Sequence, residues 1–263
     1  MTELLQKTYF ALYCAAAGAA LAGFLFNKAW KFKGAVSALA AGWLFNTAYI
    51  GLRWYLAERA PLSNQYESLI YMVWAFVAVY LLFLRGSVRE LAWLAPWAAG
   101  LAALGTAGAA LFNSEISPLM PALQSDWLFI HVSTVMAGYG AFTLAFLLAV
   151  LYIFMRAPAR EARRSMMGPL MYRAALTGFW LLSMGIITGS VWANSAWGSY
   201  WSWDPKETWS LITWLYYAAA LHLRKNKGWA NNNFAWLLAA GFVLVLFTYF
   251  GVNYLMSGLH SYG

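Results

Sequence analysis

Apolar residues fall into long runs separated by short polar connections along the whole chain. Runs of roughly 17 to 25 apolar residues are long enough to cross a bilayer as helices. We predict eight such helices, at Thr8–Phe26, Ala35–Ala57, Ser68–Leu84, Leu91–Phe112, Leu128–Phe154, Ala174–Ala193, Pro205–Leu223 and Phe234–Met256. The pattern therefore predicts an all-α, polytopic membrane bundle that forms a single integral membrane domain over residues 1–263.

Composition agrees with a membrane protein and narrows the chemistry. Hydrophobic residues make up 63% and charged residues 10% of the chain, against about 25% charged residues in soluble domains. No basic leader with a small-residue cleavage site precedes the first run, so we expect that run to be retained. The single cysteine, Cys14, excludes an internal disulfide and a CxxC redox pair. The net charge of +8 is not gathered in one soluble patch, so we expect a bilayer and no nucleic acid as the partner.

Lysine and arginine are distributed unevenly between alternate connections. Thirteen of the seventeen lie in every second connection, and four lie on the opposite side. The thirteen fall in residues 27–34, 85–90, 155–173 and 224–233; the four are Lys7, Arg53, Arg59 and Lys206. By the positive-inside rule, the basic connections face the cytoplasm and both termini are external.

Three histidines and a tryptophan-rich segment carry the candidate chemistry. His131 lies near the external end of the fifth predicted span, and His260 follows the eighth. His222 lies roughly 26 Å along the seventh span from Pro205, near the cytoplasmic face. Residues 192–214 hold six of the sixteen tryptophans. Because imidazole ligates haem iron and indoles pack against porphyrin, we predict one outer and one inner haem site.

The seventh span has a sequence signature for its first turn. Asp204 is expected to be the N-cap, with Pro205 at the first helical position. Glu207 is then the third residue, as in a capping box. Capping accounts for at least part of the role of both acidic residues.

Simpler interpretations compete with a haem site. Tryptophans near a bilayer surface usually form an interfacial belt, which we favour for Trp192, Trp209 and Trp214. That interpretation is weaker for the three tryptophans crowded into the short external loop 194–204. His222 is alternatively a packing histidine, and His260 a disordered tail residue. Glu67, at a predicted membrane edge, is a candidate contact for a ligand or a partner, which composition does not decide.

The segment from Trp197 to Trp209, WGSYWSWDPKETW, and its continuation to Arg224 resemble the WWD signature of haem-handling membrane proteins of cytochrome c maturation. Three subfamilies share this signature: a small haem-delivery subunit with six spans, a much larger haem lyase subunit, and the CcsA/ResC-type subunit of the system II cytochrome c synthase. Eight spans, PLSNQYESL at 61–69 and GLHSYG at 258–263 are similar to the third.

The resemblance implies a role for each histidine. His131 and His260 match the two external histidines that flank the WWD loop and ligate haem iron. His222 matches a transmembrane histidine that binds haem nearer the cytoplasm, with a second ligand supplied by a CcsB/ResB-type partner. No fourth histidine is present in this chain, as expected for a two-chain synthase. The remaining cofactor-binding candidates are Trp197, Trp201, Trp203 and Asp204.

The implied function is that of a holocytochrome c synthase, a haem lyase that acts with its partner. Haem b, as substrate and ligand, would move from the cytoplasmic side to an external WWD site. There it would be presented for thioether attachment to the CxxCH motif of apocytochrome c. The implied location is a bacterial plasma membrane or an equivalent thylakoid membrane, with the WWD loop external. No residue resembles a nucleophile, and we assign no catalytic residue.

Two other functions remain open. The first is a haem transporter or chaperone without ligation activity. The second is a respiratory cytochrome b-like electron carrier, which usually pairs histidines within its own bundle to fix a permanent haem. The unpaired His222 argues against the second.

Overall fold

The computed structural model describes residues 1–25, 29–85, 91–155 and 161–260. Within these ranges every regular element is helical, which confirms the predicted fold class. The helices are α1 (Thr2–Leu25), α2 (Ala29–Ala57), α3 (Gln65–Leu84), α4 (Ala95–Ala109), α5 (Asp126–Phe154), α6 (Glu161–Trp197), α7 (Pro205–Asn226), α8 (Asn231–Leu246) and the short α9 (Val252–Leu255). Single 3₁₀ turns occupy Ala92–Leu94 and Pro121–Leu123, and a π turn, Phe247–Gly251, joins α8 to α9.

The helices match the predicted membrane spans. Five stretches in the described residues are long and apolar enough to cross a bilayer: Phe32–Ala57, Gln65–Leu84, Asp126–Phe154, Glu161–Trp197 and Asn231–Leu255. The other three predicted spans coincide with α1, α4 and α7. A membrane helix bundle with about eight spans is therefore confirmed.

The chain forms two compact units, residues 1–118 and 119–263. In the first, an ion-pair cluster centred on Glu67 fixes the connections between helices. The buried Glu67 carboxylate accepts from Arg53 Nε at 3.0 Å and from Arg59 Nη1 at 2.9 Å. Both arginines also donate to backbone carbonyls of residues 114–117. Since a buried charge needs such partners, Glu67 has a structural role inside the chain.

In the second unit, α5 and α6 pack closely along their length. A Cβ atom added at Gly178 of α6 would lie 2.5 Å from the ring of Phe142 on α5. Phe142 in turn stacks on Tyr217 of α7, with 3.7 Å between ring centroids. Small residues that allow helices to approach are a common device of membrane bundles. Here they bring α5, α6 and α7 together.

Helix α6 extends further towards its N-terminus than the predicted span. The expected connection 155–173 is helical from Glu161 onwards, so Arg163 and Arg164 lie on the helix. Strong helix formers, including alanine, arginine, methionine and leucine, continue the helix beyond the apolar run. Arg164 lies over the ring of Tyr152, 4.3 Å from its centroid. Four predicted topology residues, Lys28, Arg89, Arg156 and Arg160, lie outside the described residues.

Candidate functional site

The tryptophan-rich loop is shorter than the sequence suggests. Helix α6 continues to Trp197, so the loop spans residues 198–204 rather than 194–204. Gly198 ends the helix with a φ of +77°, and its N–H donates to Asn194 O at 2.9 Å. A glycine in this left-handed conformation is a common helix C-terminus. Trp197 is therefore fixed by a helix, and only Trp201 and Trp203 lie in the loop.

The loop ends in the predicted capping box. Asp204 accepts from Lys206 N at 3.1 Å, and Glu207 Oε2 accepts from Asp204 N at 3.2 Å. Glu207 Oε2 also accepts from Ser202 N at 2.8 Å. Both predicted capping roles are confirmed. One carboxylate oxygen thus holds the backbone on both sides of Trp203.

His131 and His260 come together around Trp192; we call His131, Trp192, Trp197 and His260 the two-histidine cluster. The His131 and Trp192 rings stack with centroids 5.9 Å apart and planes 11° apart. His260 contacts the same indole edge-on at 5.5 Å and contacts Trp197 at 4.9 Å. The cluster lies at one end of the second unit, where α5 begins and α6 ends.

His131 is oriented by the backbone of α6. Its Nδ1 lies 2.7 Å from the carbonyl oxygen of Gly185. A carbonyl only accepts, so Nδ1 carries the proton and the lone pair is on Nε2. Gly189 makes the approach possible, because a Cβ atom there would lie 2.5 Å from His131 Nδ1. His131 is therefore preset as an Nε2 ligand.

His260 is oriented in the same sense by a side chain. Its Nδ1 lies 2.8 Å from Asp204 Oδ1, and Leu259 N donates to Asp204 Oδ2 at 2.6 Å. A Cβ atom at Gly258 would overlap the Asp204 carboxylate. The alternative that His260 is a disordered tail residue is therefore wrong. Asp204 both caps α7 and aligns His260; in the neutral imidazole this bond places the proton on Nδ1 and the lone pair on Nε2.

The Asp204 carboxylate is well supported as a charged acceptor. Burial would raise the pKa of this carboxyl, but the hydrogen bond from His260 and two backbone N–H donors outweigh it. The pKa of Asp204 consequently lies below its ordinary value. Asp204 is ionised at neutral pH and available as the hydrogen-bond acceptor of His260.

Trp203 adopts a backbone conformation that is rare for a bulky residue. Its φ is +58°, and 67% of the side chain is exposed. Its indole meets that of Trp201 edge-on at 5.7 Å. Such a conformation typically costs about 1–3 kcal/mol and persists only where neighbouring contacts enforce it. Here the bonds from Ser202 N and Asp204 N to Glu207 enforce it.

His222 does not join the two-histidine cluster. It lies near the C-terminal end of α7, whereas Asp204 and the cluster lie at the opposite end. The His222 side chain is exposed, and its Nδ1 lies 3.0 Å from Asn226 Nδ2. Ile212 and Leu215, exposed on the same helix, continue this face towards the cluster end. The structure therefore separates His222 from the other two histidines, as predicted.

Sequence analysis missed the residue at the centre of the cluster. Trp192 was assigned to an interfacial belt, which is wrong: it is 2% exposed, and its Nε1 donates to Ala122 O at 2.9 Å. Gly185, Gly189 and Trp192 follow an i, i+4, i+7 spacing, so they share one face of α6. That spacing, three positions over two turns of one helical stripe opposite His131, is the signal in the sequence.

In their neutral form, both imidazoles of the cluster have a defined tautomer, with the proton on Nδ1. Metal-ligating histidines commonly donate their other ring N–H to a carboxylate or a backbone carbonyl. His131 has the carbonyl and His260 the carboxylate. The surrounding indoles suit a flat aromatic macrocycle. The side chains therefore fit the haem predicted for this end of the molecule.

Comparison with known proteins identifies the family. The family model described as cytochrome C assembly protein matches residues 62–260. A cytochrome c biogenesis protein CcsA from Synechocystis sp. is 37% identical, covering 91% of this chain and 90% of its own length. CcsA from Guillardia theta is 40% identical, covering 82% and 81% respectively.

A solved structure shares the fold. The cytochrome c haem lyase CcmF superimposes with a TM-score of 0.73 at 18% identity, over 94% of this chain. This chain spans 46% of the length of that lyase, so the similarity concerns the shared helical architecture. Taken with the relatives above, the chain belongs to the cytochrome c assembly family, as an integral membrane protein of the CcsA-type cytochrome c biogenesis group.

Proposed function

We propose that the chain is the haem-presenting subunit of a cytochrome c synthase. Haem b enters from the cytoplasmic side, is held at His222, and passes to a site where His131 and His260 ligate its iron. The observation that carries this proposal is the matched orientation of the two histidines. Each has Nδ1 committed to an acceptor, which leaves Nε2 for a metal.

The tryptophans complete the proposed outer site. Trp192 and Trp197 touch the imidazoles, so they hold the ligands in place. Trp203 presents an exposed indole from a backbone turn fixed by Glu207, and Trp201 lies beside it. These two loop indoles are the surfaces offered to the porphyrin face, an arrangement in which aromatic packing contributes about 0.5–1.5 kcal/mol per pair.

The chemistry follows from holding haem and apoprotein in register. Each thiol of the CxxCH motif adds across a haem vinyl group: sulfur bonds to the inner vinyl carbon, and a proton goes to the outer one. Two thioethers result, and the apocytochrome histidine takes the place of one synthase ligand. Positioning of reactants supplies a large part of such a barrier, roughly 7–11 kcal/mol in well-oriented cases. We assign no nucleophile or general acid to this chain.

The inner site needs a second chain. His222 is exposed on α7 and, in the described residues, has Asn226 as its ring-nitrogen partner. An ionisable side chain at membrane depth is costly unless another group pairs with it. A CcsB/ResB-type membrane protein that packs on the Ile212–Leu215–His222 face would supply the second iron ligand. Asn226 Nδ2 lies against His222 Nδ1; with the amide rotated by 180°, its oxygen would accept from Nδ1–H and leave Nε2 for iron.

The charge distribution supports the sidedness of this route. The basic connection after His222, including Arg224 and Lys225, marks the cytoplasmic face, and the tryptophan loop lies outside. A topology assay with a reporter fused at residue 228 and at residue 261 tests this assignment. Cytoplasmic labelling at 228 and external labelling at 261 are expected, and the reverse pattern contradicts the route.

Holocytochrome formation in cells tests the function itself. With the partner and a CxxCH reporter co-expressed, the wild-type chain should yield covalent haem in the reporter. His131→Ala and His260→Ala should abolish this, and imidazole in the medium should restore part of it. Normal maturation by both variants without imidazole contradicts the ligand assignment. Haem that reaches the outer site without any thioether formation would support a transporter instead.

A further inference from the structure

We propose that the two outer ligands have different tasks: His260 leaves the iron when the apocytochrome histidine binds, while His131 remains ligated. This inference rests on the proposed function, in which the incoming histidine displaces one synthase imidazole. It goes beyond that function by assigning the exchange to one residue. The two imidazoles differ in how they are held.

His131 is held between two helices, α5 and α6. It lies in the second turn of the 29-residue helix α5. Its Nδ1 bonds to a main-chain carbonyl within α6, and its ring lies flat against Trp192 of the same helix. The Gly189 contact leaves no space for the ring to shift towards α6. Withdrawal of His131 from iron would therefore require α5 and α6 to separate.

His260 is held by far less regular structure. Helix α9 ends at Leu255, and residues 256–260 are not helical, with a bend at 258 and a turn at 259–260. The segment is fastened by the Asp204 carboxylate, which accepts from Leu259 N and bonds His260 Nδ1. Its two indole contacts are edge-on rather than stacked. Segments with few helical hydrogen bonds open at low free energy, so His260 is the imidazole that can swing away.

The exchange step balances without a redox partner. The iron–Nε2 bond of His260 breaks, and an iron–nitrogen bond to the apocytochrome histidine forms. Both ligands are neutral imidazoles, so neither the charge nor the oxidation state of iron changes. The proton on Nδ1 of His260 stays in its hydrogen bond with Asp204. Asp204 thus retains the released imidazole and returns it to the iron position after the product leaves.

Chemical footprinting of the complete two-chain complex tests this asymmetry. The haem-loaded complex is mixed with a peptide of the form Ser-x-x-Ser-His, which offers the histidine but cannot form thioethers. Diethylpyrocarbonate then modifies imidazoles whose Nε2 is free, and mass spectrometry reads each histidine. A Ser-x-x-Ser-Ala peptide is the matched control. We expect His260 to become modified only with the histidine peptide, while His131 stays protected.

Two results would overturn the assignment. One is modification of His131 in place of His260. The other is protection of both histidines while the histidine peptide co-purifies with the complex. In the same complex carrying His222→Ala, the low-spin haem spectrum recorded before peptide addition tests the outer site separately, so failure of the exchange assignment is distinguishable from failure of the proposed function.

Asp204→Asn provides a second, independent measurement. Asparagine is as good an N-cap as aspartate, so α7 should still begin correctly. Loss of the charged acceptor weakens the hold on His260, and outer-partner substitutions change metal affinity roughly 10- to 100-fold. We expect displacement by the histidine peptide, followed by stopped-flow absorbance, to be about tenfold faster. An unchanged displacement rate would place the exchange at His131.

Discussion

The histidines at the two ends of α7 differ in how many partners hold them. At its N-terminal end, His131 and His260 each have an acceptor at Nδ1 and share a buried indole. At its C-terminal end, His222 is exposed, with an amide four residues along the same helix as its ring partner. In the proposed function, one haem site is built within a single chain, whereas the other is half of a site that the partner completes.

Physical chemistry explains why the two ends differ. A ligand that must accept and release haem needs a fixed tautomer, and fixed tautomers need buried acceptors. The cluster supplies them through a glycine-rich helix face and a capping aspartate. An exposed histidine on a bilayer-depth helix has no such support within the described residues, and its apolar neighbours Ile212 and Leu215 suit a second helix.

The largest expected effect comes from removing a cluster ligand. His131→Ala and His260→Ala should each lower holocytochrome yield by more than the roughly 100-fold typical of outer-partner losses. Haem bound near His222 should persist, because the two sites lie at opposite ends of α7. Haem staining of the reporter and absorbance of the purified complex measure both quantities. Equal loss of haem from both sites would show that the two sites are coupled and would contradict their independence.

Next in size is the removal of the central indole. Trp192→Ala should destabilise the second unit by about 3–5 kcal/mol, because a fully buried aromatic leaves a cavity. It should also release both imidazoles from their shared contact. Trp180→Ala is the matched control, since Trp180 lies on the same helix but is 61% exposed, where about 0.5 kcal/mol is expected. Denaturant unfolding in detergent measures the change in unfolding free energy for both variants. Similar changes would contradict the claim that Trp192 is the packing centre of the cluster.

A smaller effect is expected from the residues that hydrogen-bond to the histidines. Asp204→Asn should weaken haem binding at the cluster roughly 10- to 100-fold. Asn226→Ala should weaken only the inner site. Haem titrations of the two variants, each in complex with the partner, would measure the affinity of the outer and the inner site separately. Weakening of both sites by either variant would contradict their independence.

The smallest effect concerns the strained loop residue. Trp203→Gly should relieve a conformation that costs about 1–3 kcal/mol, offset by about 0.5–1 kcal/mol of glycine entropy. We therefore expect a net stabilisation of about 1 kcal/mol, with outer haem affinity lowered about two- to tenfold through lost aromatic packing. Thermal unfolding checks the predicted gain in stability, and haem titration checks the predicted loss of affinity. Gains in both stability and haem affinity would mean that Trp203 has no role at the porphyrin.

The sequence predicts the fold well because membrane helices are specified locally. Long apolar runs, the capping box at Asp204 and the charge bias each act within one segment. The cluster was predicted only in part, because its centre depends on tertiary contacts. Trp192 reads as a belt residue until the α5–α6 packing buries it. The bond from His260 to Asp204 joins residues 56 apart, and no local spacing encodes it.

The most direct test of the central claim is the spectrum of haem added to the purified two-chain complex carrying His222→Ala. With the inner site removed, we expect one low-spin, bis-histidine haem per complex, held by His131 and His260. Adding His260→Ala to the same complex should convert that haem to a high-spin form or abolish binding. An unchanged low-spin spectrum after loss of either cluster histidine would contradict the claim that this chain alone builds the outer site.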